Sequence, residues 1–176
     1  PMLPGVRRPQ EYAIYRPYEF RTFSLSCFVR LDRNPAVAAR DACIIFARRD
    51  DTHFYYVHLS GLSAGTHNAI IRVDGATRTT LTPDADRPKA VMTDRNWHKV
   101  DLLRDCDTGR IQVFVDAYDA KTARPYFEVT DKTYDWGFIA LGSFDDYASF
   151  AHILIEGEAR KPASPPSTDG GTYNGE

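Results

Sequence analysis

Short runs that alternate apolar and polar residues recur along this chain, and no segment sustains a 3.6-residue apolar period with helix caps. That contrast leaves few folds open, because strict alternation buries one face only when the backbone is extended. Phe23, Leu25, Cys27, Val29 and Leu31 alternate with Ser24, Ser26, Phe28 and Arg30. Residues 43–47 are apolar throughout, as in a strand covered on both faces. The run HFYYVHLS, His53 to Ser60, follows a polar turn over 48–51. Residues 68–73 alternate again, and Asp74-Gly75 closes that run as a hairpin turn would. Further runs cover 97–104, 111–115, 137–143 and 150–156. Eight short strands with turns between them predict an all-β, antiparallel sandwich or barrel.

Length and charge narrow the partners. The 176 residues suffice for a single domain with its own core, placed at 1–160. From Lys161 onward, KPASPPSTDGGTYNGE is rich in Pro, Gly and Ser and reads as a flexible tail or linker over 161–176. A net charge of -2 and a pI of about 6.2 supply no basic field, so nucleic acid is not an expected partner. Membrane insertion is not expected either, since no apolar run approaches the ~20 residues of a spanning helix. Cys27, Cys43 and Cys106 form no C-x-x-C pair, which argues against a thiolate zinc site. Cys27 and Cys43 read as buried thiols within strands. The chain opens Pro1-Met2 without a signal peptide, so a trimmed or mature product is expected.

HFYYVHLS raises the functional question. One face of that strand carries Tyr55, Val57 and Leu59, which suits a core; the other carries Phe54, Tyr56, His58 and Ser60. An aromatic and ionisable row of this kind is too rich for a plain solvated surface. If a hairpin over 61–66 joins it to the next run, Asn68 and Arg72 share its face, and Arg48 or Arg49 joins from the strand before. Arg48, Tyr56, His58, Asn68 and Arg72 are then the expected ligand-binding residues. They offer an imidazole that titrates near neutral pH, a phenol, an amide and fixed cations. Aromatic planes and planar polar groups suit sugar rings, whose C–H faces stack and whose hydroxyls need paired donors and acceptors. The competing reading is packing, with Phe54 and Tyr56 under a loop and His58 a sheet histidine with its bonds satisfied.

Metal ligands have two candidate sources. His53, His58 and His67 form a three-histidine site only if the strand bulges, because His53 and His58 otherwise face opposite ways. Asp50-Asp51 and Asp145-Asp146 are acidic turns that offer oxygen ligands to Ca²⁺, or simply solvated carboxylates.

The order of motifs completes a resemblance. WHKVDLLRDCDTGRIQVFVDA, YDWGFIALGSFDD and FAHILIEG together resemble the C-terminal half of laminin-G-like and concanavalin A-like jelly rolls. The shared pattern is a Trp opening a strand, a Gly turn, a strand ending Val-Asp, a Gly-rich strand and a closing strand. With DDTHFYYVHLS and HNAIIRVDG added, the chain from Tyr12 to Gly157 is similar to the bacterial family described as 3-keto-disaccharide hydrolase or family-16 glycoside hydrolase-like domains. The resemblance implies a two-sheet jelly roll whose concave sheet faces a poly- or oligosaccharide in a secreted or periplasmic setting. It requires no cofactor, and implies structural Ca²⁺, for which Asp145 and Asp146 are the candidate ligands.

Family-16 hydrolysis uses paired glutamates in an E-x-D-x-x-E or E-x-D-x-E strand, with carboxyls about 5 Å apart for retention and wider for inversion. The close pair here, Glu156 and Glu158, sits at the end of the last strand. Paired-glutamate chemistry is therefore not expected. Carbohydrate recognition, lectin-like or as part of a carbohydrate-active protein, is the leading expectation. The second is an enzyme acting on glycosides, by hydrolysis of modified disaccharides or by elimination as in jelly-roll polysaccharide lyases. There an Arg and an amide neutralise a uronate while His or Tyr removes the C5 proton, so Tyr56 and His58 become the catalytic candidates. The third is a laminin-G-like protein-binding adhesion module, whose contacts lie on edge loops and bound Ca²⁺.

Overall fold

The computed structural model describes residues 7–9, 11–37, 39–63, 65–86, 90, 92–144 and 146–166. Among the described residues, ten strands carry the fold: β1 (Glu11–Leu31), β2 (Asp41–Asp50), β3 (His53–Ser60), β4 (Ala69–Asp74) and β5 (Thr77–Thr80), then β6 (His98–Asp105), β7 (Arg110–Val115), β8 (Phe127–Thr130), β9 (Gly137–Ser143) and β10 (Ala148–Arg160). They pair as one antiparallel sheet in the order β5-β4-β3-β2-β9-β1-β6-β7-β8, with β10 added on β1. The all-β antiparallel expectation is met.

The sheet folds onto itself through β1, a strand of 21 residues. Its first part pairs with β9 up to Tyr15 and again at Phe20, it meets β10 from Glu19, and from Phe23 it runs between β6 and β10. Pro17 falls in the interval where β1 changes partners. Its ring nitrogen has no hydrogen to give a ladder, and the pairing with β9 is interrupted between Tyr15 and Phe20. Two half-sheets thereby face each other, β5-β4-β3-β2-β9 against β10-β1-β6-β7-β8.

Alternation explains what lies between them. Leu25, Cys27, Val29 and Leu31 of β1 meet Ile44 and Phe46 of β2, Val57 and Leu59 of β3, and Val100 and Leu102 of β6. Each is essentially sealed from water, and each such aliphatic or aromatic side chain contributes about 1.5–3 kcal/mol. Two strands escape the sequence pattern. β5 reads TRTT and β8 reads FEVT, each too short and polar to alternate visibly. The first half of β1 escapes as well, since Arg16 and Pro17 break its run. Trp97, just ahead of β6, is 40% exposed, with the Arg30 guanidinium 4.7 Å from its ring centroid.

His98 fastens the start of β6. Its Nδ1 lies 2.7 Å from an Asp116 carboxylate oxygen and its Nε2 3.1 Å from Asp94 Oδ1. Burial works against the charged ring, but the bonds to Asp116 and Asp94 outweigh it and hold the imidazolium above its ordinary range. A raised folded value means the contribution is complete below the ordinary histidine value near 6.5 and fades as pH rises through the elevated one. His98→Gln should therefore destabilise by about 1 kcal/mol or less, since the two carboxylates are half-exposed, and do so more at about pH 5.5 than at about pH 8.5. Urea denaturation at the two pH values reads the difference.

Candidate functional site

The parity read from HFYYVHLS holds. Tyr55, Val57 and Leu59 enter the core between the half-sheets, and Phe54 and Tyr56 join a second apolar cluster on the outer face of β5-β4-β3-β2-β9. That cluster takes Cys43 and Ile45 from β2, Ala69, Ile71 and Val73 from β4, Ala140 from β9, and Phe144. Tyr12 and Ile14 of β1 pack at its margin. The outer face is thus covered, not open: Phe54, Tyr56 and Ser60 are 0% exposed and His58 3%. Residues ahead of β1 contribute to the cover. The Arg7 carbonyl accepts from Arg78 Nη1 at 3.0 Å, the Arg7 guanidinium lies 5.6 Å from the Phe144 ring centroid, and Pro9 is buried.

At the His58 end of this face the cover stops and a hollow of about 290 Å³ opens. Its walls include Arg7, Asp41, His58, His67, Arg78 and Phe144, with the Arg33–Asp146 ion pair on one side. β2 and β3 set its floor through their register, in which Cys43 faces His58 and Asp41 faces Ser60. The imidazole is oriented from behind: His58 Nδ1 stands 2.9 Å from the Thr66 carbonyl, which accepts its proton and leaves Nε2 turned toward Asp41. Nε2 is 3.4 Å from Asp41 Oδ2, outside hydrogen-bond geometry. Asp41 Oδ1 accepts the Phe144 N–H at 3.0 Å, which ties β2 to the end of β9. The His58 ring packs at a tilt, its centroid 4.8 Å from that of His67 and 5.0 Å from that of Phe144. Tyr56 lies beside it, ring centroids 5.9 Å apart.

The buried acids under the hollow are held in their neutral forms. Burial pushes the Cys43 thiol well above its usual range, and the Asp41 charge adds to the rise. Burial likewise raises the Tyr56 phenol, with Cys43 adding to it and the Arg78 cation opposing. Among the described residues the Tyr56 hydroxyl has no hydrogen-bond partner of good geometry.

Three of the five expected ligand residues lie elsewhere. Arg72 faces Tyr55 across the β3–β4 ladder, so it emerges on the face opposite His58. It ion-pairs with Asp131 and donates to Thr133 Oγ1 at 2.7 Å. Burial disfavours the Asp131 carboxylate, but bonds from Tyr55 and Thr133 and the Arg72 cation hold its carboxyl below the usual range. Asn68 is buried at φ 52°, just before β4. Its amide donates to the Ser60 and Leu62 carbonyls and its oxygen accepts the Ser60 N–H, so it closes the β3–β4 connection. Arg48 is sealed at the far end of β2, seven residues beyond Asp41 and roughly 20 Å away at strand rise. It ion-pairs with Asp51 there, under the Tyr12 ring. Tyr56 and His58 alone of the set come together.

Of the calcium candidates, Asp145 lies outside the described residues. Asp146 is 7% exposed and committed to Arg33 Nη1 at 2.5 Å, so a guanidinium stands where the acidic-turn reading set a cation. The three histidines do not gather either. His53 bonds Asp50, away from the His58–His67 pair. Glu158 of the late glutamate pair is exposed and pairs with Arg21. Sequence reasoning missed Asp41, Arg78 and Phe144. A second hollow, of about 430 Å³, lies where residues 161–166 return past Glu19, Arg49 and Arg160.

No protein-family model matches this chain, and no curated protein matches it either. Solved structures do. The carbohydrate-binding module CBM66 from Bacillus subtilis superposes with a TM-score of 0.61 at 10% identity, covering 87% of this chain and 99% of that one. Congerin II, liganded by lactose and MES, gives 0.56 at 12% identity over 83% of this chain and 100% of its own. The exoplasmic/lumenal domain of VIP36, in its Ca²⁺/Man3GlcNAc-bound form, gives 0.54 at 11% identity over 89% and 79%. Identities this low carry the fold alone. The fold is the jelly roll of carbohydrate-binding modules and lectins.

Proposed function

We propose that this chain recognises a saccharide at the hollow beside His58, and that the preferred saccharide carries an anionic group. The observation that carries the reading is the wall of that hollow. Three guanidiniums, of Arg7, Arg33 and Arg78, and two imidazoles converge there on two carboxylates, Asp41 and Asp146. Even with both histidines neutral, cations exceed anions by one among the described residues. Carboxylate and imidazole suit sugar hydroxyls, and an unbalanced guanidinium suits a carboxylate, sulfate or phosphate on the ring. The jelly-roll neighbours, two of which are described with saccharide bound, support the same class of ligand.

A specific loss tests this. Arg78→Ala should weaken binding of an oligo-uronate about tenfold or more, the equivalent of one charge-assisted hydrogen bond, while binding of the matching neutral oligosaccharide changes little. Equal affinities of wild type and variant for the oligo-uronate, measured by isothermal titration, would sink the reading. An enzyme acting on glycosides is the second reading, and the Asp41–His58 pair on the hollow's wall favours it. Product formation from the bound saccharide, abolished in His58→Gln, would establish it in place of simple recognition.

A further inference from the structure

We infer that Asp41, Cys43 and His58 form a binding site for a thiophilic divalent cation of the zinc class. Their ligand atoms, one carboxylate oxygen, the Cys43 sulfur and an imidazole nitrogen, lie within 4.8 Å of one another. All three side chains are buried, at 3%, 0% and 3% exposure. The missing C-x-x-C spacing argued against a thiolate site, but cross-strand register supplies what spacing along the chain does not. Asp41 and Cys43 project from the same face of β2, and His58 stands opposite Cys43 on β3.

Two further observations point to a ligand. His58 Nε2 is buried without a hydrogen-bond partner among the described residues. Buried polar atoms are rarely left unmet. The imidazole is also held as metal ligands are held, its other nitrogen bonded to a backbone carbonyl that fixes the tautomer and aims the lone pair. Asp41 is held in the same way through Oδ1 on the Phe144 amide, which frees Oδ2. Zinc–ligand bonds of about 2.0–2.3 Å set tetrahedral ligand atoms roughly 3.3–3.8 Å apart, and Oδ2 and Nε2 already stand at 3.4 Å.

Charge balance favours the same ion. On binding, the Cys43 S–H bond breaks, its proton leaves to solvent and a metal–sulfur bond forms. A carboxylate, a thiolate, a neutral imidazole and a dication then sum to zero, which suits a buried site. Asp41 and His58 both line the hollow, so the ion has a path in, and its remaining coordination faces the hollow. The hard oxygen donors that Ca²⁺ takes are not this set.

Cobalt(II) added to the metal-free full chain tests the site without any saccharide, so its failure is separate from failure of the recognition reading. The expected result is saturation at one equivalent with a sulfur-to-cobalt charge-transfer absorption, displaced by zinc. Asp41→Asn and Cys43→Ala, each with the wild-type circular dichroism spectrum, should weaken it at least about 100-fold. Cys106→Ser, which removes the half-buried thiol that otherwise bonds the Arg21 carbonyl, should leave it unchanged. If a ligand variant does not fold, the wild-type absorption and its survival in Cys106→Ser decide the question. Absence of a saturating sulfur band, or its persistence in folded Cys43→Ala, overturns the proposal.

Discussion

Arg40→Met is expected to lower the stability of this fold by about 3 kcal/mol. The Arg40 side chain is as long as any in the chain and only 1% exposed, yet it meets no carboxylate at bonding distance among the described residues. It instead gathers four backbone carbonyls. Nη1 donates to Leu31, Arg33 and Asp94 at 3.2, 3.3 and 2.6 Å, and Nη2 to Met92 at 3.1 Å. The end of β1 and the stretch before β6 are pinned to one guanidinium. Methionine matches much of the volume but returns none of these donors, and each orphaned carbonyl costs about 1 kcal/mol. Relief from burying the cation, whose ionisation burial already disfavours, offsets part of that sum. Arg40→Lys should recover only a fraction, because an ammonium lacks the planar fork that reaches several acceptors at once. A shift of the urea midpoint worth less than about 1 kcal/mol would show that the carbonyls find other donors.

Gly142→Ala is expected to cost about 3 kcal/mol for a reason of space alone. Gly142 sits in β9 between Tyr12 of β1 and Cys43 of β2, and its backbone is ordinary extended chain. A methyl group there would stand 2.0 Å from the Glu11 carbonyl oxygen and 2.5 Å from Tyr12 Cβ. The nearest obstacle is backbone, so no rotamer change makes room. The first half of β1 must move off β9, and overpacking of this kind costs 1–3 kcal/mol or more. Because Tyr12 and Ile14 pack beside the outer-face cluster, faster amide hydrogen exchange at residues 12–15 should accompany the loss. An unchanged melting temperature, with β1 exchange unaltered, would contradict the packing described.

These outcomes mark where sequence stops being legible. The inward and outward rows of β3 were readable, because a period of two needs nothing beyond the strand itself. The partner rows were not. A one-residue change of register moves a whole strand's side chains to the other face, and the β3–β4 connection sets that register. Asn68 takes a left-handed conformation and turns inward, so the ladder begins with Ala69 opposite His58 and Arg72 falls on the Tyr55 side. A similar limit hid Cys43. An unbulged ladder continued from the Asp50–His53 pair sets Ile45 opposite His58. The two extra residues of β2 between Phe46 and Asp50, with Ala47 at φ 47°, set Cys43 there instead. Phe144 and Arg78 reach the hollow from a strand end and an edge strand with no alternation to announce them. What the alternation did carry was the fold class and the observation that β3 spends aromatic and ionisable residues on its outer face.

The central claim is that the outer face is sealed along its length and usable only at its His58 end. Titration of the isotope-labelled chain with an oligo-uronate, followed by amide chemical shifts, tests it most directly. The account predicts saturable changes at Arg33, Asp41, Thr66, His67, Arg78 and Phe144, and none at Arg72, Asp131 or Thr133 on the opposite face. Changes centred on Arg72 and Asp131, or on the second hollow near Arg49 and Arg160, would contradict it.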